Sequence, residues 1–170
     1  MSLEIRPVRP EEYEEAGAVT ALAYREFAPR RSDDWEDYLR RIADVGDRAE
    51  RTTVLVAVEG GSILGTLTLE LTDRTEAGHE REDDPLPPEE AHIRMLGVHP
   101  DARGRGIGRA LMDASLRHAR DAGKTLLTLN TTERMRAAQA MYESMGFTRE
   151  PDRVFDDGFV LLSYSLALAE

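Results

Sequence analysis

No cysteine occurs among the 170 residues of the chain. This absence excludes a disulfide framework, a thiolate nucleophile and a zinc site built on cysteine ligands. The sequence also has no apolar stretch approaching the ~18 residues of a membrane span, and its first residues lack the apolar core of a signal peptide. We therefore expect a cytoplasmic protein without a membrane partner, whose chemistry uses side chains other than thiols.

Basic residues are scarce, since 22 Lys and Arg stand against 33 Asp and Glu, a formal net charge of -11 at pH 7. Such a field repels phosphate backbones, so nucleic acid is not an expected partner. Cationic small molecules or basic peptide ends suit it better, although acidity that serves only solubility gives the same composition. With 41% hydrophobic residues, the chain has a globular composition, and its length fits one domain over residues 1–170.

Hydrophobic periodicity predicts an α/β protein. Strands are expected at 3–8, 53–59, 63–71, 91–98, 125–129, 147–155 and 159–168. Helices are expected at 11–27, between an N-cap at Ser32 and a stop at Gly46, at 106–122 and at 133–145. Turns are expected at Gly60-Gly61 and Asp157-Gly158. The order of elements implies a mixed central sheet, parallel in its second half, bordered by antiparallel hairpins and flanked by about four helices.

Residues 73–90 lack periodicity and contain three prolines, which predicts a long loop. Eight acidic residues against two arginines give this segment a charge of -6. Beside a cleft, such a loop would attract cationic substrates. As a solvated acidic insertion, it would have no role in substrate selection.

A glycine-rich segment, Arg103-Gly104-Arg105-Gly106-Ile107-Gly108, lies between a predicted strand and a predicted helix. Alternate glycines let backbone N–H groups converge on one point, and the helix N-terminus adds partial positive charge there. With Arg109 the segment carries +3, so we expect a polyphosphate ligand. The spacing fits neither a dinucleotide fingerprint, which needs glycine at position 109, nor a Walker loop. A glycine-rich connector that binds nothing is the alternative.

Two motifs carry a resemblance to a known family. The segment Arg103-x-x-Gly106-x-Gly108, preceded by Leu96-Gly97-Val98-His99-Pro100, resembles the coenzyme A pyrophosphate signature of the GNAT superfamily of N-acetyltransferases. The segment Ala138 to Phe147, with Tyr142 and Gly146, is similar to a second motif of that family. The resemblance implies a single GNAT domain with a mostly antiparallel sheet, whose parallel fourth and fifth strands splay apart around the pantetheine arm.

The resemblance also implies acetyl-CoA as co-substrate, no metal, and a set of binding residues. These are Leu96 and Val98 through their backbone, and Arg103, Gly104, Arg105, Gly106, Ile107, Gly108 and Arg109 around the pyrophosphate. Met135 stands seven residues before the tyrosine, where many family members have asparagine. Asn130 could supply a polar partner to pantetheine instead, or cap the following turn.

Two catalytic residues are implied. Tyr142 matches the tyrosine that donates a proton or a hydrogen bond to the departing coenzyme A thiolate in many relatives, although a helix tyrosine can also simply pack in the core. His92 stands where histone-acetylating members carry a glutamate base, and strand alternation predicts that it shares a face with Arg94, Leu96 and Val98. Glu70 and Glu90 are alternative bases, and an ordinary surface histidine is the alternative role for His92.

The sequence thus predicts an acetyltransferase that moves an acetyl group from acetyl-CoA to a primary amine by direct attack in a ternary complex. The alternative is a non-catalytic acyl-CoA-binding sensor or interaction domain. Relatives often form homodimers, which leaves a homodimer open here. The acceptor amine is not identified by fold or motif.

Overall fold

The computed structural model describes residues 2–27, 35–72, 86–154, 158 and 160–168. Within these ranges the strands are β1 (Glu4–Pro7), β2 (Thr53–Glu59), β3 (Ser62–Glu70), β4 (Glu90–Val98), β5 (Leu126–Thr132), β6 (Thr148–Val154) and β7 (Val160–Ala167). The α-helices are α1 (Tyr13–Arg25), α2 (Trp35–Ala43), α3 (Val45–Ala49), α4 (Ile107–Asp121) and α5 (Arg136–Ser144). Short 3-10 turns precede α1 and α4.

The strands form one mixed sheet in the order β1-β2-β3-β4-β5-β7-β6. The β4–β5 pair is parallel, and the other described neighbours are antiparallel. The parallel pair arises because α4 crosses over between β4 and β5, as a strand-helix-strand connection requires. The predicted mixed α/β sheet is therefore confirmed.

The two parallel strands separate after a short paired stretch. Their register runs from Glu90 opposite Leu126 to Ile93 opposite Leu129. Beyond Ile93, β4 stays paired with β3, and β5 stays paired with β7 as far as Thr132. A gap thus opens between β4 and β5 in the middle of the sheet, which confirms the predicted splay.

A β-bulge lies in β4 beside this gap. Thr68 of β3 faces Arg94, whereas Thr66 faces Gly97, so two residues of β4 stand opposite one residue of β3. Met95 within the bulge has a φ of 57°, the left-handed region that is uncommon for a residue with a side chain. The extra residue reverses the alternation of side chains in the second half of β4.

Apolar side chains cover both faces of the sheet. On one face, β3, β4 and β5 pack against α4 through residues such as Leu67, Leu111 and Leu127. On the other face, β2 packs against α1 and α3, and α2 contributes Leu39 and Ile42 around Met95. The helices α1 and α2 approach closely at Gly17, where a Cβ would lie 1.9 Å from the Ala43 carbonyl oxygen. Only glycine fits that crossing, which fixes α1 and α2 on the same side of the gap.

Several predicted boundaries differ from the observed ones. Gly46 was expected to stop a helix but lies inside α3, whose N-cap Asp44 accepts a hydrogen bond from the Asp47 N–H. Residues 133–135 precede α5 rather than belonging to it, because β5 extends to Thr132 through its pairing with β7. Ser32, Asp157 and residues 73–85 of the acidic loop lie outside the described residues.

Candidate active site

The glycine-rich segment forms the turn that leads into α4. Gly104 and Gly106 have φ of 80° and 79°, and Gly106 is the N-cap residue of the helix. A Cβ added to either glycine would meet no atom within 4 Å. The glycines therefore serve the left-handed backbone, and they leave open space in front of the N-terminal amides of α4. A phosphate group fits such a position, where amide donors and the helix dipole act together.

The arginines of this segment are tied to neighbouring elements. Arg103 forms an ion pair with Glu26 and donates to the Ala23 carbonyl oxygen at 3.1 Å. Arg105 donates to both carboxylate oxygens of Glu59 at 2.7 and 2.8 Å, which lowers the pKa of that carboxyl group. Because these two charges are compensated by carboxylates, the capacity of the loop to hold an anion rests chiefly on its backbone amides.

Arg109 lies in the first turn of α4, and its Nη1 is 3.4 Å from the Ser144 Oγ of α5. Ile107 is buried in the core beneath the loop, and Gly108 lies above Val98, with 3.7 Å between its added Cβ and the Val98 Cγ2. The segment from 103 to 109 is therefore anchored on α1, β2, β4 and α5.

The gap between β4 and β5 is lined by two predicted binding positions on β4. Leu96 and Val98 lie beyond the last β4–β5 pair, and their side chains pack against the core on the α4 face. Their backbone is not paired with β5, so the edge of β4 can hydrogen-bond a ligand inserted there. Across the gap, Asn130 of β5 accepts a hydrogen bond from the Ser163 hydroxyl of β7 at 2.9 Å.

Tyr142 lies in α5 and is 4% exposed. Its ring contacts Phe147 and Tyr164, each with 5.8 Å between ring centroids. Burial, and secondarily the nearby Tyr164, raises the pKa of the phenol well above its usual value, so the hydroxyl stays protonated at neutral pH. Desolvation, and then Tyr38 and Tyr142, raise the pKa of the partly buried Tyr24 in α1. A protonated donor is thus held on α5, against the rings of Phe147 and Tyr164.

His92 shares a face of β4 with Arg94, as predicted, but not with Leu96 and Val98. It shares its face with Arg94 and Gly97, because Glu70, Thr68 and Thr66 of β3 face these three residues in register. The prediction that His92 shares a face with Leu96 and Val98 is wrong, since the bulge at Met95 reverses the alternation between them. His92 consequently points to the side of α1 and α2, and it is 3% exposed.

A hydroxyl bridge connects His92 to a carboxylate. The His92 Nδ1 is 2.7 Å from the Thr128 Oγ1, in the strand β5. The Thr128 hydroxyl donates to Glu90 Oε2 at 2.5 Å. His92 and Glu90 are both buried, so two of the candidate bases belong to one network across the β4–β5 pair.

Charged side chains are buried next to this network. Glu70 is fully buried, and its Oε2 lies 4.0 Å from the Arg94 Nη1. Arg48 of α3 donates from Nε to the Thr68 hydroxyl at 3.0 Å and from Nη1 to the Asp44 carbonyl at 3.2 Å. Desolvation, and then the nearby Arg94, lowers the pKa of Arg48 to about 10. The face of the gap toward α1, α2 and α3 is thus polar, whereas the α4 face is apolar.

Sequence reasoning missed Thr128 and Arg48 as parts of this site. Thr128 occupies an ordinary strand position, and Arg48 lies in a helix too short to give a periodic signal. The polar residues at 90, 92 and 94 in a strand that is otherwise apolar were the available signal for a polar face.

Neither a metal centre nor a membrane segment is found in the part of the chain that the structure describes. There, no three His, Asp or Glu side chains come together as metal ligands would. No helix within the same ranges has the length and apolar character of a membrane span.

Comparisons with known proteins agree with this geometry. The crystal structure of an acetyltransferase of the GNAT family from Staphylococcus aureus superposes with a TM-score of 0.71 at 17% identity, covering 99% of this chain and 100% of that one. A GNAT family acetyltransferase from Brucella melitensis, solved in complex with acetyl-CoA, gives a TM-score of 0.65 at 23% identity, covering 99% and 90%. At these identities the likeness concerns the fold.

Sequence comparison identifies the family. Mycothiol acetyltransferase from Thermobispora bispora is 30% identical over 148 residues, which cover 86% of this chain and 47% of that protein. The chain thus spans less than half the length of the curated relatives it matches. The profile of the acetyltransferase (GNAT) family matches residues 17–147. Because that match covers most of the sequence, the chain belongs to the acetyltransferase (GNAT) family.

Proposed function

We propose that this protein transfers the acetyl group of acetyl-CoA to a primary amine of a small molecule or peptide, by direct attack of the amine on the thioester in a ternary complex. The observation that carries the proposal is the gap between β4 and β5, which has the glycine loop at one end and a polar face on one side. A homodimer, a cytoplasmic location and a single domain over residues 1–170 stay predictions.

Acetyl-CoA fits the gap in one orientation. The pyrophosphate would lie against the amides of residues 103–109, where the two left-handed glycines leave open space. The pantetheine would run along the unpaired edge of β4 and hydrogen-bond the backbone of Leu96 and Val98, with Asn130 across the gap. Support for this choice of ligand comes from the fold relative solved with acetyl-CoA.

The proposed reaction needs one proton acceptor and one proton donor. The amine nitrogen attacks the thioester carbonyl carbon, the developing oxyanion is stabilised by a backbone N–H of β4, and the carbon–sulfur bond breaks. The amine proton passes to a base, for which His92, Glu90 and Glu70 are the candidates on the acceptor face. Tyr142 donates a proton or a hydrogen bond to the leaving thiolate, because the raised pKa of its phenol keeps the hydroxyl protonated and available as a donor at neutral pH.

Gly106→Val tests the acetyl-CoA site. The side chain would enter the space in front of α4, so we expect the dissociation constant of acetyl-CoA to rise roughly tenfold or more in calorimetry. The substitution also strains a left-handed residue, at a cost of about 1–2 kcal/mol.

Gly123→Val is the matched control, because Gly123 has the same φ of 79° and equally open surroundings at the other end of α4. It should cost similar stability and leave acetyl-CoA affinity unchanged. Equal affinities of wild type and Gly106→Val would reject the loop assignment. Release of free thiol from acetyl-CoA with a panel of amines tests turnover. Binding without release for every amine would favour the non-catalytic acyl-CoA sensor.

A further inference from the structure

We infer that Thr128 is a positioning residue that fixes the tautomer of His92, so that Nε2 is the basic nitrogen toward the acceptor amine. This inference rests on the proposed function, in which His92 takes the amine proton. It is carried by the hydroxyl bridge that joins His92, Thr128 and Glu90 across the β4–β5 pair.

The number of protons available determines which atom donates in each of the two hydrogen bonds of the bridge. A threonine hydroxyl has one proton, and with Glu90 ionised it is donated to Oε2 at 2.5 Å, the shorter of its two acceptor contacts, since the Ala91 carbonyl oxygen is at 3.5 Å. A carboxylate has no proton to return, so the Thr128 oxygen can only accept from its other neighbour. That neighbour is His92 Nδ1 at 2.7 Å, which must therefore carry hydrogen. In a neutral imidazole the lone pair is then on Nε2.

The same bridge supports the charged form of the histidine. When Nε2 takes a proton from the amine, the N–H bond of the amine breaks, a new N–H bond forms at Nε2, and the ring becomes a cation. Nδ1–H keeps its hydrogen bond to Thr128, whose oxygen is polarised by the Glu90 carboxylate. Glu70 lies opposite His92 on β3, and Arg94 lies on the same face of β4. The bridge thus orients the base through a hydroxyl group.

Burial strengthens the hydrogen bonds that orient the His92 ring. His92 is 3% and Glu90 5% exposed, so water does not compete freely for their hydrogen bonds. The bridge also joins neighbouring strands in the paired part of the sheet, where His92 faces Thr128 in register. A purely structural role for the hydroxyl would tie β4 to β5 without any effect on the tautomer, and this is the difference that the experiment measures.

Nitrogen NMR of the imidazole rings in the ligand-free protein reads the tautomers directly. The chain has four histidines, so the His92 signals are identified by their loss in His92→Gln. We expect wild-type His92 with hydrogen on Nδ1. His99 is an internal contrast, because its Nδ1 accepts from the Asp101 N–H at 3.1 Å, which requires hydrogen on Nε2. Wild-type His92 with hydrogen on Nε2 would overturn the inference.

Substitution of Thr128 then tests whether the bridge affects the His92 tautomer and turnover. Thr128→Val keeps the side-chain shape and removes the hydroxyl, so His92 should no longer be held in one tautomer, and kcat should fall roughly tenfold. The KM for acetyl-CoA should stay within about twofold, because the hydroxyl is on the acceptor face. Thr128→Ser should restore both the tautomer and kcat. An unchanged tautomer or an unchanged kcat in Thr128→Val would contradict the positioning role.

These measurements separate the inference from the proposed function. Tautomers are measured without acetyl-CoA, and thermal unfolding of each variant checks that it is folded. If wild type releases no thiol with any amine, the proposed function fails whatever the NMR result. If His92→Gln keeps full turnover, another group is the base and the catalytic role of the bridge is rejected.

Discussion

Tyr142 offers the most direct test of acid catalysis at the scale of single residues. Tyr142→Phe removes the hydroxyl and keeps the ring that packs against Phe147 and Tyr164. We expect kcat to fall roughly 100-fold while the affinity for acetyl-CoA is retained, because in the proposed reaction the hydroxyl acts on the leaving thiolate only. Steady-state kinetics combined with calorimetry measure the two quantities.

Tyr164→Phe is the control for Tyr142→Phe. Tyr164 is equally buried and adjacent to Tyr142, but its hydroxyl donates to Glu143 Oε2 at 2.7 Å. Its loss should cost about 1 kcal/mol of unfolding free energy and leave turnover unchanged. If both variants retain kcat when the chemical step limits the rate, Tyr142 is a core residue only.

Local motifs allowed some site residues to be predicted, whereas others depend on strand pairing. The left-handed glycines at 104 and 106 and the tyrosine of α5 belong to continuous segments, so sequence identified them. Thr128 lies beside His92 only because β5 pairs in parallel with β4, and these two residues are 36 positions apart in the sequence. No pattern around Thr128 itself contains that information.

At the scale of elements, β4 divides the site because of its bulge. Before Met95 the polar side chains point toward α1 and α2, and after it Leu96 and Val98 point toward α4. Strand alternation alone predicts one continuous face, which is why the placement of His92 was wrong. A bulge depends on pairing with β3, and a single strand sequence gives no measure of it.

Helix boundaries were also predicted wrongly where tertiary contacts determine them. Gly46 is a helix breaker by propensity, yet it is tolerated in α3, whose Val45 and Arg48 are buried. The longer strands and the helices α1 and α4 were predicted well, because each has enough residues for its own period to be visible.

The ion pair between β1 and the 3-10 turn before α1 should stabilise this edge of the fold. Arg6 donates to both carboxylate oxygens of Glu12 at 2.8 and 2.7 Å, and this hydrogen bonding lowers the pKa of Glu12 to about 2. Because the folded pKa is below the unfolded one, the stabilisation is complete above pH ~4.5 and is lost as the pH falls toward 2. Glu12→Gln should therefore cost about 2 kcal/mol at pH 7, measured by urea unfolding, and progressively less in acid.

Glu36→Gln provides the comparison for Glu12→Gln. The pair of Glu36 with Arg25 has side chains that are 62% and 57% exposed, so its removal should change stability by less than about 0.5 kcal/mol. A penalty for Glu12→Gln that persists undiminished near pH 2 would contradict the assigned pKa direction.

For the whole molecule, net charge is the property most open to test. The chain carries -11, and residues 73–90 hold -6 of it, of which 73–85 lie outside the described residues. We predict that this segment favours cationic acceptors. Changing Glu80, Glu82, Asp83 and Asp84 to Gln or Asn should raise the KM of a cationic amine at low ionic strength and leave acetyl-CoA binding unchanged.

Salt and a charge-matched variant complete that test. The difference in KM should shrink as ionic strength approaches 0.15 M, where the screening length is about 8 Å. The control neutralises the same number of exposed acids elsewhere, namely Glu4, Glu50, Asp113 and Asp121. An equal rise in KM for both variants would assign the effect to overall charge, and no rise in either would remove the loop from acceptor selection.

The position of β7 between β5 and β6 has a consequence for biosynthesis. A nascent chain that has emerged from the ribosome as far as Val154 contains both strands of the gap, yet β5 still lacks the neighbour to which it pairs from Leu126 to Thr132. Only when residues 160–167 follow can the second wall of the cleft be held in place. The cleft between β4 and β5 can therefore form only after residues 160–167 have been made, and a ribosome that stalls before them holds a chain with an open sheet edge that invites aggregation.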